Sequence, residues 1–198
     1  MGEMYIEVNG DFPGRCKQVH ASIVPVPSLY NFVMSAVLTN PGVERVRNAL
    51  AAAGITSPIV ELPGAARTAL AAAAFLGCDV AQIANSLVFR TERTGGAVLV
   101  MSSGARRVDT ARLAQVVGEP IGKADAAFVR ERTGFAIGGV APVGHATAIA
   151  AYVEASLASH AEIWAAAGHP HTVFRLSYDE LLRITGGRQV EVAAEVAT

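Results

Sequence analysis

The sequence predicts an α+β domain, a mixed, mostly antiparallel sheet with flanking helices. Helix and strand signals intermingle without the regular strand–helix–strand alternation of a doubly wound parallel sheet. Hairpin signals recur, at Thr94-Gly95-Gly96 and at Gly168-His169-Pro170. The 198 residues, 52% of them hydrophobic, suit one packed core, and the abundance of alanine favours short, closely packed helices.

The elements follow in order. Residues 1–33 carry Pro13, Pro25 and Pro27 without sustained periodicity, and read as an N-terminal extension ahead of a domain over residues 34–198. A first strand over residues 21–26 is the alternative. Asn40-Pro41 starts a helix, with proline at the first helical position. Val43, Val46, Leu50 and Ala53 then recur at helical spacing until Gly54. The apolar run 55–62 predicts a strand. Thr68 caps, or sits just inside, a helix that Gly77 ends, and residues 81–83 make one helical turn. Strands are expected over 86–90 and 97–102. Asp109 caps a helix ending near Gly118, and Asp125 caps another ending at Gly134. A glycine-rich stretch, GFAIGGVAPVGH, follows. Strands over 163–167 and 172–176 make the second hairpin, and Ser177 with Glu180 forms a capping box for a last helix.

Charge and composition narrow the function. A formal net charge of −1 is unlike the basic balance of a general nucleic-acid binder, so a DNA partner is not expected. Cys16 and Cys78 stand far apart, with no CxxC pair, which suggests a reducing compartment. No apolar run reaches membrane-spanning length, and the N-terminus lacks the order of a signal peptide. The cytoplasm is the expected location.

Motifs for nucleophilic, zinc-dependent or nucleotide chemistry are absent: there is no GxSxG, HExxH or Walker A loop. His169 and His171 would share one face of a strand, but no third ligand accompanies them, so a solvated turn is expected and no metal. The segment GGVAPVGH, residues 138–145, is the leading candidate. Gly138 and Gly139 allow close backbone approach to a ligand, Pro142 stiffens the loop, and His145 can orient a substrate or move a proton near neutral pH. A glycine-rich turn with a surface histidine is the plainer alternative. Asn85 and Ser86 come next, where a helical turn passes into a strand; a simple cap is the competing reading. Arg106, Arg107, Arg112, Lys123, Arg130 and Arg132 cluster in sequence and can hold phosphates. Interspersed acids make a solvated mixed face the alternative.

The stretches GCDVAQIANSLVFR, SSGARRVD, GKADAAFVRERTGFAIGGVAPVGH and IWAAAGHPHTVFRLSYDELLRITGG resemble, in order and spacing, the YbaK/prolyl-tRNA-synthetase-associated domain family. The resemblance implies a barrel-like mixed sheet with flanking helices. It implies hydrolysis of the ester joining a wrong amino acid to its tRNA, without metal or other cofactor. The partners it implies are the acceptor end of an aminoacyl-tRNA and, further, an aminoacyl-tRNA synthetase. The family's glycine-x-x-x-proline loop is matched by Gly138, Gly139, Val140, Ala141 and Pro142, whose backbone would meet the aminoacyl group. Thr68 resembles a pocket residue of the family. Asn85, followed by Ser86, stands where many members have lysine; a cationic contact then falls to Lys123 or to an arginine such as Arg106 or Arg107. A non-catalytic binding module of the same fold, or a regulator contacting a synthetase, is the runner-up. An open pocket joining Asn85 to Gly138 is what an enzyme would need.

Overall fold

Asn40 starts the first helix as the sequence expects: its side chain accepts from the Gly42 N–H at 2.8 Å, and Pro41 opens α1, Pro41–Ala52. The computed structural model describes residues 35–194. The extension assigned to residues 1–33, and the alternative strand over 21–26, lie outside the described residues. Thr68 caps α2 (Ala69–Leu76), Asp109 caps α3 (Thr110–Val117) and Asp125 caps α4 (Ala126–Thr133). Ser177 and Glu180 complete the capping box of α5, Tyr178–Thr185. Each of α2 to α5 stops at a glycine in the left-handed region, where a side chain would strain the chain.

Among the described residues, eight strands form one sheet: β1 (Val60–Glu61), β2 (Ile83–Thr91), β3 (Ala97–Ser103), β4 (Ile121–Lys123), β5 (Ala150–Glu154), β6 (Ile163–Ala166), β7 (Thr172–Leu176) and β8 (Arg188–Val190). Their order is β1-β7-β6-β2-β3-β5-β8, with β4 added beside β2. Four of the seven strand pairings are antiparallel, and β2–β6, β3–β5 and β5–β8 are parallel. The sheet is mixed and open, ending at β1 and β8 without closing into a barrel. The run 55–62 yields only the two-residue β1. Strands β4, β5 and β8 are short and carry little strand signal of their own. Their pairing partners make them strands, since β-propensity is largely a statement about neighbours.

The core sits on both faces of the sheet. In β3, Leu99 and Met101 join a cluster with Val46, Phe135, Phe174 and Leu181, while Val100 packs oppositely with Leu113 of α3 and with Val190. Burial on both sides explains why this strand reads as a continuous apolar run. A third cluster sets Ala69, Ala72 and Ala73 of α2 against Ile83. The small alanines allow this helix to lie close beside the start of β2.

Candidate functional site

Strand β2 has a complete ladder on one edge and a broken one on the other. On the first edge, β3 pairs with residues 84–90. On the second, β6 meets Ile83 and Ala84, and β4 meets Phe89, Arg90 and Thr91. Residues 85–88 are left between them with no strand partner on that edge among the described residues. Backbone N–H and C=O groups in such a gap are available to a ligand. A cleft of about 470 Å³ opens there, lined by Asn85, Ser86 and Leu87. That volume suits a small molecule or the end of a larger one. The Ser86 hydroxyl lies 3.4 Å from the Met101 sulfur, a weak contact on the core side. The Asn85 amide has no hydrogen-bond partner among the described residues, so its donors and acceptor remain available.

The turn between β6 and β7 joins the other parts of the cleft. Pro170 O accepts from Ala66 N at 2.8 Å and His171 O accepts from Leu62 N at 2.7 Å. These bonds lay the segment before α2 across the turn and bring Arg67 and Thr68 to the cleft. Gly139 packs on the same turn: a β-carbon built on it would stand 2.9 Å from the His169 Cα and carbonyl carbon. The sequence suggests that this glycine makes room for a ligand. The structure gives another reason, since the near neighbour is the His169 backbone, and it is Gly138 that has φ 88°. Gly139 N donates to Ala136 O at 2.9 Å, closing a turn whose third residue is Gly138, a position requiring positive φ in such a turn.

His145 and Arg45 brace the glycine-rich loop. The His145 Nε2 lies 2.7 Å from Ala141 O. A carbonyl can only accept, so Nε2 carries the proton. Burial pushes the imidazole's pKa below its ordinary 6.5; the bond to Ala141 opposes this and the nearby Arg45 charge adds to it. The neutral ring therefore holds the loop's shape. Arg45 of α1 donates to Gly134 O at 2.8 Å and Gly144 O at 3.2 Å, and its guanidinium lies 4.8 Å from the Phe135 ring centroid. Nothing in the sequence around Arg45 marks this clamp, because its partners are about a hundred residues away.

The structure thus brings Thr68, Asn85, Ser86, Gly138 and Val140 to one cleft. Pro142 and His145 border a separate hollow with Ala49 and Ile184. Gly139 and Ala141 are buried in the loop that carries Gly138. Arg106 borders a third hollow with Arg112, Glu154 and Glu191. Arg107 is exposed beyond β3, and Lys123 lies on β4 opposite Phe89; neither lines the cleft. The His169 and His171 rings lie tilted by 46° with centroids 5.3 Å apart, and the described residues hold no group of three or more His, Cys, Asp or Glu side chains placed for a metal. Sequence reasoning passed over Arg67, Ile137 and Trp164, all of which line the cleft.

The glycine-rich loop, the β6–β7 hairpin and α2 that enclose the cleft all fall within residues 64–184, which match the model of the aminoacyl-tRNA editing domain. This chain belongs to the aminoacyl-tRNA editing domain family. Among solved structures, this editing domain is similar to a candidate trans-editing enzyme for prolyl tRNA synthetase, with 43% identity, 78% of this chain and 98% of that one covered, and a TM-score of 0.73. A scaffold protein used for computational epitope backbone grafting is similar as well, at 40% identity, 79% and 99% coverage and a TM-score of 0.74. Among curated proteins it is similar to the uncharacterized YwhH of Bacillus subtilis (strain 168), 29% identical over 123 residues, 62% of this chain and 78% of that protein. No helix among the described residues is long and apolar enough to cross a membrane.

Proposed function

We propose that this protein is a trans-editing hydrolase that cleaves the ester bond of mischarged aminoacyl-tRNA. The observation that carries the reading is the cleft joining the unpaired edge at Asn85 and Ser86 to the Gly138 loop, in a chain of the editing family. Water attacks the ester carbonyl and forms a new carbon–oxygen bond. The bond to the ribose oxygen breaks, that oxygen takes up a proton, and free amino acid and tRNA result. No His, Asp, Glu, Cys or Lys side chain lines the cleft among the described residues. The catalytic work assigned to this chain is therefore positional: backbone groups at Gly138 and along residues 85–88 hold the ester and its developing oxyanion. Asn85 supplies a neutral donor and acceptor for the amino acid or the terminal ribose. Thr68, whose hydroxyl already accepts from Ala71 N at 3.1 Å, fixes the adjacent wall. The substrate's own hydroxyls complete the arrangement of the water. Such an enzyme works in the cytoplasm, where tRNAs are charged, and a synthetase is its natural companion.

The test is a deacylation screen against a panel of mischarged tRNAs. Release of one amino acid well above the spontaneous rate supports the reading. Tight binding of charged tRNA without hydrolysis would instead make the protein a binding module of the same fold.

A further inference from the structure

Arg67 is exposed beside the cleft, just ahead of the α2 cap. It is the one charged residue lining the cleft among the described residues, and its guanidinium has no hydrogen bond or ion pair there. Its position is fixed from two sides. The backbone N–H bonds Ala65 O at 3.1 Å, and the Cα lies 3.9 Å from where a β-carbon on Gly138 would stand. Two large apolar side chains in the same lining are unusually bare: Leu70 is 71% exposed and Ile137 is 60% exposed. The buried part of the lining is uncharged and mostly apolar, including Ala84, Val140 and Ala165; its one polar member, Thr172, spends its hydroxyl on His169 O at 3.1 Å. A free cation beside exposed apolar groups, outside a neutral interior, fits a ligand with an anionic end, a flat apolar middle and an uncharged group to bury. A nucleotide carrying an acyl group has that form.

We infer that Arg67 holds the phosphate on the 5′ side of the terminal nucleotide of the aminoacyl-tRNA, with Leu70 and Ile137 against its base. The inference rests on the editing reading above. An aminoacyl nucleotide carries a cationic amino group at one end and a phosphate at the other. Arg67 repels the first and attracts the second, so it sets the direction in which the substrate enters. The planar guanidinium fork matches two phosphate oxygens, and with no resident ion pair to break it is free to do so. The hollow beside Arg106 is less suited to an anion, because Glu154 and Glu191 share it.

The test compares the full-length protein with its Arg67→Gln and Arg67→Lys variants. Each is titrated by NMR or calorimetry with adenosine 5′-monophosphate and with adenosine. The parent should bind the phosphorylated compound roughly tenfold more tightly. Arg67→Gln should lose that preference, and Arg67→Lys should keep part of it. In deacylation of a mischarged tRNA, Arg67→Gln should raise KM by a similar factor with kcat little changed, and make KM less salt-dependent. Equal nucleotide preference in parent and Arg67→Gln, failure of the monophosphate to bind, or an unchanged KM would each overturn the assignment. If the parent hydrolyses no mischarged tRNA yet shows an Arg67-dependent preference for the monophosphate, the phosphate site stands and the editing reading falls.

Discussion

Gly139 and Asn85 show how residues of one site can fail in different ways. A methyl group at Gly139 meets the His169 backbone, which cannot swing aside as a flexible side chain would. Gly139→Ala is expected to destabilise the protein by about 1–3 kcal/mol through overpacking. It should also lower deacylation by about a hundredfold, because the neighbouring Gly138 is pushed out of place. The Asn85 side chain has no hydrogen-bond partner to lose among the described residues, so Asn85→Ala should leave the melting temperature unchanged and cost about tenfold in rate, the worth of one ordinary hydrogen bond. Paired calorimetry and deacylation rates check both; the backbone-led mechanism fails if Asn85→Ala abolishes turnover while Gly139→Ala is silent. His145 acts through its neutral form. Its folded pKa is lowered, so between that value and its ordinary 6.5 the unfolded chain binds more protons than the folded one. Stability is therefore present above 6.5 and lost as pH falls through this window. His145→Gln, which keeps a donor for Ala141 O, should show a shallower fall in melting temperature from about pH 7 to about pH 5. An equally steep fall in the variant would assign that loss to other groups, among them His169, whose pKa burial also lowers.

Among the elements, the β6–β7 hairpin has the widest reach. Its five-residue connection, residues 167–171, holds the segment before α2 by hydrogen bonds and the glycine-rich loop by backbone packing, so one short turn sets the distance between two parts of the site. Its strands are held in turn by pairing with β2 and β1. The helices depend more on their caps. In α5, Glu180 N donates to the Ser177 hydroxyl at 3.2 Å, and the Glu180 carboxylate accepts from Ser177 N at 2.8 Å. Ser177→Ala removes half of this box, and α5 carries the buried Leu181 into the main core. The expected loss is about 1 kcal/mol, seen as a melting temperature lower by about 2–4 °C. Neither Ser177 nor Glu180 lines the cleft, so deacylation at moderate temperature should be little affected.

At the scale of the whole molecule, the sequence reading separates residues 1–33 from the domain by their lack of periodicity, and we propose that residues 34–198 suffice for folding. A chain beginning at Met34 should then melt within about a degree or two of the full-length protein in differential scanning calorimetry. A loss of several degrees would show that the preceding residues contribute stability.

The sequence by itself determined the local order: the caps at Asn40, Asp109, Asp125 and Ser177, the helix start at Thr68, the glycine stops, the two hairpins and the α+β class. These are set by neighbours a few residues apart, and their side chains report them directly. It also placed Asn85, Ser86 and Gly138 as site candidates, because polar and glycine residues at element boundaries are conspicuous. Tertiary structure alone decided which of these candidates meet. The short strands β4, β5 and β8 arise from pairing, and the gap at residues 85–88 exists because β6 and β4 reach opposite ends of the same β2 edge. Arg45 clamps carbonyls 89 and 99 residues away, and Arg67 reaches the cleft because the β6–β7 turn holds the segment before it. Contacts across such distances leave no period or spacing in the chain, so only the folded arrangement could supply them.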